Sequence, residues 1–292
     1  MFIQTVLYLT QTILEYAAGI FIKSRDVLEQ AQLDKFRIWF DDYVTGFYGD
    51  DETVNANIKL KDDHSHRTCK EMLYLAGELG LDENQKLISE TIALLHDVGR
   101  FEQFVKYRMY SDAKSVDHCL LGLEVLEKNR VLDEIDLQEK LLIQKAIEYH
   151  GRKELPPGLD GQCLLFSKLI RDADKLDAYY VVMKYYKQYQ ENPQNFKLGM
   201  ELPDESGYSA PVINDLLSGR CLDNRQVRKL NDLKLSLLGW VYDVNFISTL
   251  KRIKRCGYLE KILVFLPADE DIERVREKIS GYVDFRLEQD GK

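Results

Sequence analysis

The sequence has little of several features that mark other classes of protein. Prolines number six among 292 residues, and alternating β-branched runs bounded by turns are missing, which disfavours a β-sheet protein. The five cysteines are scattered without a CxxC pair, so a thiolate zinc site and a disulfide framework are both disfavoured. Basic residues are fewer than acidic ones, 40 against 49, which gives a net charge of −9. That balance argues against a broad nucleic-acid-binding face and predicts no nucleic-acid partner.

The N-terminal stretch lacks the features of a membrane span or a signal peptide. Residues 1–23, MFIQTVLYLTQTILEYAAGIFIK, are apolar, but polar residues such as Gln4, Gln11 and Glu15 interrupt them and no basic residue precedes the apolar part. We expect a helix packed on the protein, with a dimer contact or a membrane-surface role as the alternatives. Together with the unpaired cysteines, this predicts a cytoplasmic protein without a membrane partner.

Helical periodicity is what the chain has in abundance. Apolar residues from Cys69 to Leu79 recur at i, i+3 and i+4 spacing, and Gly80 follows them. Asp82 with Gln85 predicts the capped start of a helix that runs to His96. Further helices are predicted from Ser115 to about Lys128, from Asp136 (with Glu139) to His150, and from Gln162 to Gln190. Residues 191–225 predict a loop-rich insert before a C-terminal helical part. The predicted fold class is all-α.

All five histidines lie in one central window, at His64, His66, His96, His118 and His150. We expect His64 to open a helix, His96 and Asp97 to close one, and His118 and His150 to lie in terminal turns. Ligands from several packed helices can converge on one point in a bundle, and imidazole with carboxylate suits Mn, Fe, Ni or Zn. In an adjacent His-Asp pair the imidazole can bind one ion while the two carboxylate oxygens bridge to a second.

Three segments resemble the HD-domain superfamily of metal-dependent phosphohydrolases: HSHRT at 64–68, LLHDVGR at 94–100 and DADKLDAY at 172–179. An HD dipeptide alone is a weak signal, but its place at the end of an apolar helix between the other two segments is specific. The resemblance covers roughly residues 58–182. It implies an HD-domain helical bundle with an N-terminal helical extension (residues 1–57) and a C-terminal helical region (residues 183–292) that packs on the core.

The resemblance also implies a ligand set for two divalent ions. His64, His96, Asp97 and Asp174 correspond to the ligands of a first metal. In the binuclear branch of the family two more histidines follow, and His118 in HCLLG and His150 in EYHGR match that pair. Asp97 would then bridge both ions. His66 is expected to be a near neighbour rather than a ligand. With one ion alone, His118 and His150 would take other roles.

The last ligand is open between two aspartates that project about 200° apart on one helix. Asp172 lies nearer the middle of an apolar stripe and is favoured by the helical wheel. Asp174 occupies the AD dipeptide of the family pattern, and we follow that pattern. The aspartates left over, Asp177 among them, are expected to bond to a histidine N–H or to a basic side chain.

The implied chemistry is hydrolysis of a phosphate ester by metal-activated water, and it requires no protein nucleophile. No Ser-His or Cys-His constellation is evident in the window. Arg67, Arg100 and Lys175 are candidate phosphate-binding groups, and Arg100 and Lys175 with Asp97 are the candidate catalytic residues. The substrate is expected to be a nucleotide or another small phosphorylated metabolite. Residues 148–161, EYHGRKELPPGLDG, lack the GYP signature and paired histidines of the cyclic-dinucleotide branch.

Two other functions remain open. Mixed-valent di-iron oxygenases of HD type use the same four histidines and two aspartates. An HD domain can also serve as a non-catalytic regulatory module, although all six proposed ligands are present here. The KRIKR stretch at 251–255 is more typical of a solvated face than of a nucleic-acid site, and the flanking helices allow a homodimer.

Overall fold

The computed structural model describes residues 28–159, 161–192, 202–222 and 224–290. Over these residues the chain forms α-helices and 3₁₀ turns and no strand, which confirms the all-α prediction. The helix predicted within residues 1–23 lies outside the described residues. The α-helices are α1 (Gln30–Thr45), α2 (Glu52–Glu78), α3 (Glu83–Leu95), α4 (Gly99–Tyr107), α5 (His118–Lys128), α6 (Leu137–His150), α7 (Gly161–Glu191), α8 (Ala210–Leu217), α9 (Leu230–Gly239), α10 (Ile247–Cys256), α11 (Tyr258–Leu263) and α12 (Glu270–Gln289).

Local capping signals account for several helix boundaries. The Asp82 carboxylate accepts the Gln85 N–H at 2.8 Å, and the Gln85 side chain accepts the Asp82 N–H, so the capping box that starts α3 is confirmed. At α6 the Asp136 carboxylate accepts the N–H groups of Gln138 and Glu139. The Glu139 carboxylate instead accepts the Leu28 N–H, at 2.9 Å. That predicted capping box is therefore only half formed.

The predicted helix start at His64 is wrong. Helix α2 begins twelve residues earlier, where the Asp51 carboxylate accepts the N–H groups of Thr53 and Val54. Its first half is largely polar, and its buried face includes Asn57 and His64 themselves. An apolar periodicity therefore cannot reveal it, because the helix buries polar groups on that face.

The predicted cap at Ser115 is also wrong. Asp117 caps α5 by accepting the N–H groups of Cys119 and Leu120. Ser115 follows a 3₁₀ turn (Asp112–Lys114), and its hydroxyl donates to the Ser111 carbonyl at 2.8 Å. In addition, the stretch expected to be loop-rich, residues 191–225, contains α8 in its described part.

The bundle places α2 against α3 and α7, with α6 beside α7 and α5 beside α4. Helices α4 and α5 approach closely where two glycines meet. A Cβ added to Gly99 would lie 2.6 Å from the Gly122 backbone nitrogen and would clash with the His118 carbonyl. The absence of a side chain at Gly99 therefore sets how closely the first turn of α5 approaches the residues that follow Asp97.

The C-terminal helices pack on the bundle mainly through α7. Tyr179 of α7 is fully buried, stacks on Tyr258 with ring centroids 5.4 Å apart, and donates its hydroxyl to the Leu237 carbonyl. The basic stretch at 251–255 lies on α10, where ion pairs join Lys251 to Asp290, Arg252 to Glu71 and Lys254 to Asp284. No helix in the described ranges is long and apolar enough to cross a membrane.

Candidate metal centre

Six predicted ligands come together where five helices meet. His64 lies in the middle of α2, His96 and Asp97 directly follow α3, and Asp174 lies in the middle of α7. His118 is the first residue of α5 and His150 the last of α6. The four histidines and Asp97 are buried, whereas the Asp174 side chain is 35% exposed. The opening of the site is therefore beside Asp174.

The first group of donor atoms surrounds the Nε2 atom of His64. This nitrogen lies 3.2 Å from His96 Nε2, 3.2 Å from Asp174 Oδ1 and 3.4 Å from Asp97 Oδ2. His96 Nε2 lies 3.7 Å from the same Asp97 oxygen. Donor atoms that share one ion at about 2.1 Å lie roughly 3 to 4 Å apart, so these four side chains fit a divalent cation.

The second group surrounds the other oxygen of Asp97. His118 Nε2 lies 3.3 Å and His150 Nε2 lies 3.8 Å from Asp97 Oδ1, and the two nitrogens are 3.1 Å apart. Asp97 therefore turns one oxygen toward each pair of histidines. This spacing also fits a divalent cation, although it supplies fewer protein donors than the first group.

Every imidazole in the site is oriented by a bond at its other nitrogen. The Nδ1 partners are Asp177 Oδ2 for His64 (2.7 Å), the Ala93 carbonyl for His96 (2.7 Å), Asp112 Oδ2 for His118 (2.6 Å) and the Ile147 carbonyl for His150 (2.7 Å). A carbonyl or carboxylate accepts only from a protonated Nδ1, so in the neutral ring the Nε2 lone pair faces the site. Metal-binding histidines are commonly held in this way.

Burial and neighbouring charges together shift the pKa values of the side chains in the site. Burial lowers the pKa of His96 to about 3, which keeps this imidazole neutral. Burial also opposes protonation of His64, but its hydrogen bonds to Asp174 and Asp177 outweigh burial and raise its pKa. Although burial favours a neutral Asp97, Lys61 and the neighbouring imidazoles hold its pKa well below the ordinary value. An ionised carboxylate among imidazoles is a donor set that suits a cation.

Lys61 is a site residue that the sequence reasoning missed. Its Nζ lies 2.7 Å from Asp97 Oδ2 and 5.3 Å from the centre of the Tyr110 ring. Lys61 precedes His64 by three residues, so both side chains lie on one face of α2. The three-residue spacing could have indicated Lys61 as a site residue only if α2 had been predicted to extend through both residues.

The three predicted phosphate-binding residues have different surroundings. Arg100 Nε lies 3.4 Å from Asp97 Oδ1, and Nη1 donates to the Tyr110 carbonyl. Arg67 donates to both oxygens of Asp177, at 2.6 and 3.0 Å. Lys175 Nζ lies 2.8 Å from Asp243 Oδ2. Arg100 Nη1 also lies 2.7 Å from Asp112 Oδ1, so each of the three cations has a carboxylate partner, and Arg100 is in addition beside Asp97. The substrate roles of all three stay predictions.

Asp172 is engaged elsewhere in the fold. Its buried carboxylate accepts the backbone N–H groups of Asn245 and Phe246 and the Thr249 hydroxyl at 2.7 Å. The structure instead brings Asp174 to His64, at 3.2 Å, whereas the Asp172 carboxylate that the helical wheel favoured contacts the start of α10. Asp177 bonds to a histidine and an arginine, as expected for a leftover aspartate.

His66 lies outside the cluster, with Nε2 3.3 Å from Asp62 and 3.4 Å from Asp41.

Cys119 lies beside the cluster, with Sγ 3.5 Å from His118 Nε2 and 3.6 Å from His150 Nδ1. Burial raises the pKa of this thiol, but the two imidazoles outweigh burial and lower it to about 6. The thiol thus lies beside the site-facing nitrogen of His118, and His118, Cys119 and His150 form a group that could hold a metal ion. The expectation of no Cys-His constellation in this window is corrected by this contact.

Comparison with known proteins gives one match. Residues 62–179 match the family model described as HD domain. No curated protein and no solved structure matches the chain. The matched range contains all six residues of the cluster. Its described part includes three groups of side chains that could each hold a metal ion: His64, His96 and Asp174; His96, Asp97 and His150; and His118, Cys119 and His150.

Proposed function

Residues 62–179 belong to the HD-domain superfamily of metal-dependent hydrolases, and on that premise we propose that the protein is a phosphohydrolase with a binuclear metal centre. Its substrate would be a phosphate ester of a nucleotide or another small phosphorylated metabolite. His64, His96 and Asp174 would hold one divalent ion, His118 and His150 the other, and Asp97 both.

The observation that carries the proposal is the orientation of Asp97. Its Oδ2 lies within 3.7 Å of His64 and His96, and its Oδ1 lies within 3.8 Å of His118 and His150. A single ion bound by Asp97 would not explain why two imidazoles lie near each of its two oxygens. A pair of ions joined by one carboxylate accounts for this division.

When bound, the two ions would supply a water of lowered pKa and polarise a phosphoryl oxygen. The residues of the chain would orient the metal-binding atoms and balance the negative charge of Asp97. The Nδ1 bonds keep the Nε2 atoms directed inward, and Lys61 and Arg100 flank Asp97 with positive charge. Among the residues that the structure describes, Arg100 Nε has no hydrogen-bond partner and lies 3.4 Å from Asp97 Oδ1, so it is the group of this arginine that would remain for a phosphate oxygen. No protein nucleophile is required.

The test combines metal content with phosphate release. Protein purified without chelator would be analysed by elemental mass spectrometry and screened for phosphate release over a nucleotide panel. About two equivalents of Mn, Fe, Ni or Zn with metal-dependent release would support the proposal. One equivalent would favour a mononuclear centre. Iron with substrate-dependent O₂ consumption would favour an oxygenase, and no metal after soaking would favour a regulatory module.

We predict that Asp97→Ala loses both ions and at least about 10³-fold in hydrolysis, because the shared ligand is removed from both groups. His66→Ala is the matched control, since its ring is half exposed and lies outside the cluster. Full activity in Asp97→Ala would show that the site assignment is wrong.

A further inference from the structure

The two groups of donor atoms around Asp97 differ by one protein ligand. The first group offers an ion four side chains, whereas the second offers His118, His150 and Asp97 itself. Asp112 does not make up the difference, because its Oδ2 is bonded to the outer nitrogen of His118 and its Oδ1 accepts from Arg100, at 2.6 and 2.7 Å. A further donor beside the second group would make the two groups equal.

The thiol of Cys119 lies at the distance from His118 that a shared ion requires. Its Sγ is 3.5 Å from His118 Nε2, the nitrogen that faces the site, and 3.6 Å from Nδ1 of the His150 ring. Nitrogen and sulfur donors that bind one ion tetrahedrally, at about 2.1 and 2.3 Å, lie about 3.6 Å apart. One donor atom from each of His118, Cys119 and His150 lies within 4.8 Å of the other two. The spacing therefore fits a thiolate ligand.

The surroundings of Cys119 keep its thiol beside the two rings. Cys119 is the second residue of α5, and its backbone N–H donates to the Asp117 carboxylate at 2.9 Å. Its side chain is buried. Gly151, directly after α6, leaves room for the sulfur, because a Cβ added there would lie 2.8 Å from Sγ. The helix start and the glycine together place the thiol at the second group of donors.

Two other cysteines have contacts of a different kind. Cys69 Sγ donates to the Glu90 carbonyl at 3.7 Å, and Cys221 Sγ donates to the Gly239 carbonyl at 3.2 Å. Such contacts are ordinary for an inert thiol that packs as a small apolar side chain. The Cys119 thiol instead faces imidazole nitrogens. Cys69, which is buried like Cys119, is therefore a matched control.

We propose that Cys119 is a ligand of the ion held by His118 and His150, so that the second half of the centre is a thiolate site. The inference rests on the proposed binuclear centre and adds a seventh ligand to it. The scattered cysteines of the sequence disfavoured a thiolate site, but one cysteine acts here with two histidines and needs no CxxC pair. Thiolate favours zinc over manganese, so the second ion is selected for zinc more strongly than the first.

The first experiment detects the sulfur–metal bond and is independent of hydrolysis. Co²⁺ would be titrated anaerobically into the chelated full chain, with near-ultraviolet absorbance and elemental analysis as readouts. We expect two equivalents to bind and one of them to produce a thiolate-to-cobalt charge-transfer band. Cys119→Ser should lose the band, whereas Cys69→Ser should keep it. The wild-type band is the primary readout, so the test does not depend on how well a variant folds.

The second experiment measures metal preference. Zn²⁺ and Mn²⁺ would compete for the chelated protein, and Cys119→Ser should reduce the preference for zinc at one of the two ions at least about tenfold. Loss of a residue that only supports a ligand already costs about 10- to 100-fold in affinity, and a direct ligand should cost no less. An unchanged preference in Cys119→Ser would overturn the thiolate ligand.

The outcomes with cobalt separate this inference from the proposed function. Two bound equivalents without a charge-transfer band, or a band that persists in Cys119→Ser, would overturn the thiolate ligand and leave the binuclear centre standing. One equivalent with a band that depends on Cys119 would support the ligand and count against two ions. The same band in a protein that hydrolyses no phosphate ester would support the ligand and count against a phosphohydrolase. No cobalt binding would overturn both proposals.

Discussion

His64 is held by Asp177, whose carboxylate also accepts two bonds from Arg67. An amide at this position would keep the shape but could donate to Nδ1 and so favour the tautomer that carries its proton on Nε2. We predict that Asp177→Asn weakens metal binding about 10- to 100-fold, as is typical when the partner of a ligand is lost. A competition titration with a chromogenic chelator would measure it.

Asp62→Asn is the control for that substitution. Asp62 lies on α2 near His64 but faces His66, at 3.3 Å, and touches none of the six proposed ligands. Metal affinity should therefore be unchanged. Equal affinities for wild type and Asp177→Asn would mean that Asp177 does not set the orientation of His64.

The six clustered residues could be predicted from the sequence because their types and order carry the signal. The roles of Lys61 and Cys119 could not, because each depends on which way a side chain points after the helices have packed. Asp112 is a similar case. It begins the 3₁₀ turn six positions before His118, and that turn brings its carboxylate to His118 Nδ1.

At the scale of secondary-structure elements, Asp172 joins α7 to the start of α10. Its removal would leave two buried backbone N–H groups and a threonine hydroxyl without their acceptor. We predict that Asp172→Ala lowers the free energy of unfolding by about 3 kcal/mol and leaves metal content unchanged. Asp174→Ala should instead lose metal, and its cost in the free energy of unfolding, compared between chelated proteins, should stay below about 1 kcal/mol because the side chain is partly exposed. Urea denaturation and elemental analysis of both variants would check this, and metal loss in Asp172→Ala alone would reverse the assignment.

The contact between α4 and α5 depends on Gly99. Because an added Cβ would lie 2.6 Å from the Gly122 nitrogen, we predict that Gly99→Ala forces the helices apart and costs about 1–3 kcal/mol. It should also weaken metal binding, since His118 begins α5. Gly77→Ala is the control, because a Cβ there meets nothing within 4 Å and alanine in a helix interior is favoured by up to about 1 kcal/mol. Equal stability of the two variants would contradict the close approach.

Helix boundaries were predictable where the signal is local. The Asp82–Gln85 pair and Gly80, which has a positive φ of 68°, act within one turn. The start of α2 and the cap of α5 were not predictable in that way. Asp51 precedes a polar helix that buries Asn57 and His64, and Asp117 competes with Ser115, whose hydroxyl bonds to the preceding turn.

At the scale of the whole molecule, the proposed centre joins five helices that are far apart in sequence, with His64 and Asp174 separated by 110 positions. Ions bound there would interact with the folded chain and not with the unfolded one. By linkage, a metal present at 100 times its dissociation constant adds about 2.7 kcal/mol to the free energy of unfolding. We therefore predict that chelation lowers the thermal midpoint by several degrees, as scanning calorimetry would measure.

Ligand variants distinguish stabilisation by ions bound at the proposed centre from a general effect of salt on stability. His118→Ala removes a ligand of one ion only, so the metal-dependent rise in midpoint should shrink but persist, because His64, His96, Asp97 and Asp174 remain. His66→Ala should keep the full rise. If chelation shifted wild type and Asp97→Ala equally, the stabilising ions would be bound outside the cluster. If His118→Ala abolished the whole rise, the two groups of ligands would act as one site rather than as two ions joined by Asp97.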